Sequence, residues 1–126
     1  MKYFTLSLFA AALLAYSSCS KDKTEPPQTT TCSGVDSSTN TYNLRIKGIM
    51  DTYCAYSPCH DATFGIASGG VYLHDYATTK TAFQTQSALC SIKHGSGCEP
   101  MPNTGGKLAD SLITYIECWA QNGYAQ

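Results

Sequence analysis

Residues 54–60 read Cys54-Ala55-Tyr56-Ser57-Pro58-Cys59-His60. Two thiols stand five positions apart, and an imidazole follows the second directly. Immediately upstream, Tyr42, Ile46, Ile49, Met50 and Tyr53 fall at i, i+4, i+7, i+8 and i+11, the spacing of one stripe along a helix. Asn40 or Thr41 is placed to cap that helix. The cysteine pair therefore begins where a helix ends. The segment that follows, Ser57 to Gly70, is turn-rich and predicts irregular structure.

Further along, residues 71–89 hold the apolar pair Leu73 and Tyr76 and a short helix around Thr78–Gln84. The stretch from Cys90 to Lys107 carries four glycines and two prolines and reads as a loop. Leu108, Leu112, Ile113, Ile116 and Trp119 then predict a second amphipathic helix, with Asp110 as its cap and Gly123 past its end. Helices and loops over about 85 residues give a thin core, because a domain of that size buries only ~60% of its unfolded surface. Cross-links or a prosthetic group must supply the rest.

Two thiols with an adjacent imidazole are what covalent haem attachment requires. Each sulfur adds to a vinyl group on one porphyrin edge, and the following histidine lies under the iron. The usual separation is two residues and here it is four, so the extra pair must bulge outward, which Ser57-Pro58 in an irregular segment permits. Met101 stands 41 residues after His60, between Pro100 and Pro102, ahead of the last helix. Its thioether is a soft distal ligand for iron. His74 and His94 are rivals for that position. No paired carboxylates, Ser/His/Asp order or phosphate-binding glycine motif points to catalysis.

The chain opens with Lys2 and an apolar run from Tyr3 to Tyr16, then Ser17, Ser18 and Cys19. At 14 residues the run suits an export signal and falls short of the ~20 a spanning helix needs. Small residues before a cysteine at the close of such a run resemble a bacterial lipoprotein signal, which implies lipidation of Cys19. An ordinary cleavable signal is the other reading. Residues 19–40 are rich in Ser, Thr, Pro and charge and read as a flexible tether. Net charge is −1 with eight basic residues and no basic cluster, which argues against nucleic acid as a partner.

Seven cysteines is a high count for so short a chain. Cys90 and Cys98, eight apart with two glycines between them, favour a hairpin-like disulfide. The other possibility joins Cys90, His94 and Cys98 to Cys54, Cys59 and His60 as a zinc site, against which export into an oxidising compartment weighs. Cys32 and Cys118 remain, and a bond between them would staple the tether to the domain.

The stretches YNLRIKGIMDTYC, SPCHD, GGVYLHDY, EPMPNTGGKLADS and IECWAQNGY, in that order over residues 42–124, resemble the small c-type cytochrome domains of Bacteroidetes lipoproteins. The resemblance implies a class I-like fold, His60 and Met101 as axial ligands of haem c, and one-electron transfer to redox partner proteins rather than substrate turnover. The expected chain is mostly α: a signal peptide over 1–18, a lipidated tether over 19–40, and a small cytochrome c-like helical domain with long loops over 41–126. Its expected place is the bacterial envelope, lipid-anchored at the outer membrane. A haem-free envelope binding module, stapled by disulfides that include Cys54–Cys59, is the alternative, and the zinc domain is third.

Overall fold

Thr41 starts the first helix from an extended conformation, its hydroxyl accepting the Leu44 N–H at 3.4 Å. The computed structural model describes residues 32–64 and 68–126, and among these every regular element is helical. The first turn, Tyr42–Ile46, is wound as a π-helix, with the Ile46 N–H reaching back to the Thr41 carbonyl at 3.2 Å. It runs directly into α1, Lys47–Tyr53. Ile46, Ile49 and Met50 are buried as the stripe predicts, whereas Tyr53, at the end of that stripe, is 42% exposed. Cys54 closes the helix, its N–H donating to the Met50 carbonyl at 2.9 Å.

Helix α2, Tyr76–Thr85, is longer at both ends than the sequence indicates. Asp75 caps it by accepting the Thr78 N–H at 2.8 Å, a cap that the sequence pattern did not single out. A further short helix, α3, Ala88–Ile92, occupies residues read as the end of one segment and the start of a loop. Ser87, in the left-handed region at φ 59°, separates it from α2. Helix α4, Asp110–Gln121, starts at Asp110 instead of being capped by it. The Asp110 carboxylate accepts from Lys107 Nζ at 2.9 Å, which turns it away from the helix's own amides. Gly123 lies past the end at φ 80°, as expected.

The core gathers around Trp119, which is fully buried. Tyr42 and Phe83 lie with ring centroids 6.1 Å from it and Tyr124 at 4.9 Å, the last two edge-on. The end of the chain closes over this cluster. Ala125 O accepts both Trp119 Nε1–H at 2.8 Å and the Tyr42 N–H at 2.9 Å, and the Tyr76 hydroxyl donates to Tyr124 O at 2.8 Å. Asn40, also buried, ties the first helix to α4 by donating from Nδ2 to Tyr115 O at 2.9 Å. Lys93, at the end of α3, reaches the buried Glu117 of α4 at 2.5 Å.

Two disulfides complete the scaffold. Cys90–Cys98 closes the loop after α3, and Cys32–Cys118 fastens the segment ahead of the domain to the last helix. The thin core is thus reinforced by cross-links at both its edges. No helix among the described residues is long and apolar enough to cross a membrane. The apolar run of 3–16 and Cys19 lie outside the described residues.

Candidate functional site

The segment from Cys54 to His60 folds back on itself. The His60 N–H donates to the Cys54 carbonyl at 3.0 Å, and inside that ring the Cys59 N–H donates to the Tyr56 carbonyl at 2.6 Å. Tyr56-Ser57-Pro58-Cys59 is therefore a tight turn, with a cis peptide bond before Pro58 and with Ser57 and Pro58 exposed at its tip. The two residues in excess of the usual spacing project outward, while Cys54 and His60 are drawn together at the base. Ser68 braces the second cysteine by donating its hydroxyl to Cys59 O at 2.8 Å.

Both cysteines of this loop are free thiols, although Cys32, Cys90, Cys98 and Cys118 are all bonded. Cys54 is buried against the core and Cys59 is half-buried. Burial is the main reason that the Cys54 thiol is pushed up to about 12, with the neighbouring Cys59 adding to it. The Tyr56 hydroxyl is also raised, first by its hydrogen bond with Cys59.

His60 is oriented by the backbone of a second segment. Its Nδ1 lies 3.0 Å from Val71 O, and its own carbonyl accepts the Leu73 N–H at 2.9 Å. A carbonyl can only accept, so Nδ1 carries a hydrogen toward it, and in the neutral ring Nε2 keeps its lone pair. Among the described residues Nε2 has no hydrogen-bond partner. An imidazole held by one nitrogen through a carbonyl, with the other open, is the arrangement of a metal-ligating histidine. No residue signal marks Val71 for this role, since the acceptor is main chain.

Met101 belongs to a different part of the fold. Half-buried, it is held through its main chain: its N–H donates to Ser91 O at 3.0 Å and its carbonyl faces His94 Nε2 at 3.2 Å. The two rivals for the distal position have their Nε2 atoms engaged elsewhere, His94 on that carbonyl and His74 on Asp75 Oδ2 at 3.2 Å. A cavity of about 350 Å³ opens where the end of α1 faces the loop after Met101 and the start of α4. Tyr53 and Tyr56, on either side of Cys54, form part of its wall, and Pro102, Leu108 and Leu112 form more of it. Cys54, Cys59, His60 and Met101 are not themselves wall residues, although Tyr53 and Pro102, which adjoin Cys54 and Met101 in the chain, are. Residue patterns gave no sign of this cavity, because its sides come from segments 50 residues apart.

The zinc reading is corrected. Cys90 and Cys98 are bonded to each other and hold no free thiolate, and no group of three or more His, Cys, Asp or Glu among the described residues is placed to hold a metal ion. The loop 54–60 by itself carries two free thiols and one imidazole. Comparison with protein-family models, curated proteins and solved structures returned no match.

Proposed function

We propose that residues 41–126 are a monohaem c-type cytochrome domain, a one-electron carrier of the bacterial envelope. The observation that carries this reading is the closed loop 54–60, in which two free thiols precede an imidazole whose Nδ1 is tied to Val71. Cys54 and Cys59 would hold haem c as thioethers, His60 Nε2 would be the proximal iron ligand and Met101 the distal one. Bound there, the iron supplies reversible one-electron exchange. The chain's own contribution is to fix the proximal nitrogen by the Val71 carbonyl and to surround the attachment point with the buried side of α1.

Two disulfides agree with an oxidising compartment, where two thiols left unpaired call for another covalent use. In this reading Cys19 carries the lipid and residues 19–40 are the tether. The redox partners are envelope proteins, and the domain turns over no substrate.

An optical spectrum of the full chain, expressed in an envelope with haem-attachment machinery, tests the proposal. A Soret band that stays with the polypeptide after acid–acetone extraction is the expected result. A colourless protein with Cys54 bonded to Cys59 would overturn it and leave the haem-free, disulfide-stapled binding module as the function.

A further inference from the structure

We infer that the disulfide loop Cys90–Cys98 positions Met101 as distal ligand, with His94 as the positioning residue; the inference rests on the cytochrome reading above. Both main-chain polar groups of Met101 are engaged by this loop. Ser91 O accepts the Met101 N–H at 3.0 Å and also the His94 N–H at 3.1 Å, so one oxygen gathers the two residues. His94 then closes the arrangement by pointing Nε2 at Met101 O at 3.2 Å, which requires the hydrogen on Nε2.

The loop is shaped for this grip. His94 sits at φ 56°, in the left-handed region that non-glycine residues seldom adopt, and this turn carries its ring back toward Met101. Gly95 donates its N–H to Cys90 O at 2.9 Å, and a Cβ added there would come within 2.8 Å of Cys90 Sγ. The disulfide therefore packs directly on the glycine after His94, with room for no side chain. Cys98 is three residues before Met101, so the same bond anchors the approach to the ligand. Without it, the exposed residues 99–100 and the half-buried Met101 would depend on those two hydrogen bonds alone.

A methionine sulfur is a weak ligand whose occupancy follows how well its backbone is held. The sulfur-to-iron absorption band is thus the readout that a merely structural role would leave unchanged. The test compares the matured full chain with H94A, with H94Q, whose amide also donates, and with the double variant C90S/C98S. Expected is a full Soret band and covalent haem in all four, with the sulfur-to-iron band reduced at least by half in H94A and in C90S/C98S and restored in H94Q. In the haem-free chain, exchange of the Met101 amide hydrogen should speed up at least tenfold in C90S/C98S.

An unchanged sulfur-to-iron band in both H94A and C90S/C98S overturns the inference while leaving the haem in place. So does a haem-bearing wild-type chain that lacks the band. If C90S/C98S fails to fold, H94A decides the question, since His94 is exposed. Absence of covalent haem from the wild-type chain is a separate failure, that of the cytochrome reading itself.

Discussion

His60 Nδ1 lies 3.0 Å from the carbonyl oxygen of Val71, and this one contact settles which face of the imidazole is open. The Nδ1 hydrogen is directed at a main-chain acceptor eleven residues away, so the opposite nitrogen is the one left to meet a ligand. Because the acceptor belongs to the backbone, ring orientation is a property of the fold. H60G in the matured chain should keep covalent haem, lose the low-spin spectrum and regain it when millimolar imidazole is added. Retention of the low-spin spectrum without imidazole would show that another residue holds the proximal position.

The buried Cys54 thiol gives a pH signature in the haem-free chain. Its folded value is about 12 against an ordinary 9.0, so between those limits the unfolded chain releases a proton that the folded one retains. Bound protons are then fewer in the unfolded state, and stability falls as pH rises above 9. The loss should reach a few kcal/mol, in order of magnitude, near pH 12. C54A should flatten this part of the denaturation profile relative to wild type, and so should thioether formation, which removes the thiol. Iodoacetamide at neutral pH should label Cys59 well before Cys54, followed by mass spectrometry.

Asp75 gives the opposite pH sense. Its carboxylate is held below the usual range, first by the backbone hydrogen bond from Thr78 and then by the Thr78 hydroxyl. That contribution is complete above the ordinary carboxylate value and disappears as pH falls through the lowered one. D75A should cost about 1 kcal/mol at pH 7 and progressively less as pH falls through the lowered carboxylate range, in urea titrations.

Removing Trp119 tests the core. W119A takes away the ring against which Tyr42, Phe83 and Tyr124 pack, together with the donor to Ala125 O, and should cost roughly 3–5 kcal/mol. For a domain this small that is most of its stability, so the variant should be unfolded or nearly so at 37 °C by circular dichroism.

The disulfide between Cys32 and Cys118 spans 86 positions, so its loss frees a large loop in the unfolded chain. C32S/C118S should lower stability by roughly 2–4 kcal/mol in denaturant titrations and, on the cytochrome reading proposed above, leave the Soret spectrum unaltered.

Much of the scaffold is legible from residue pattern. The stripe Tyr42 to Met50, the cap at Thr41, the last helix and the exposed tip at Ser57-Pro58 all follow from spacing and residue type. A short glycine-containing loop favours the pairing of Cys90 with Cys98, whereas that of Cys32 with Cys118 is established only by the structure. Helix α3 escaped because five residues offer no periodicity and because its start depends on a left-handed serine. Asp110 misled by one position: it is the first residue of the helix, and Ala109, whose side chain has no acceptor, holds the cap. The acceptors that engage His60 and Met101, the carbonyls of Val71 and Ser91, have no side-chain signature, so residue pattern singles out the two side chains and is silent on what aims them.

The bond between Cys32 and Cys118 also decides where mechanical load travels. Tension applied through the chain ahead of Cys32 crosses directly into the last turns of α4 and continues toward Gln126. Everything from residue 33 to residue 117, including the loop 54–60 and the cavity beside it, hangs on a covalent bypass and is out of the force path. A domain pulled between its two ends would keep its site slack while the sulfur bridge and a few residues of one helix carry the strain.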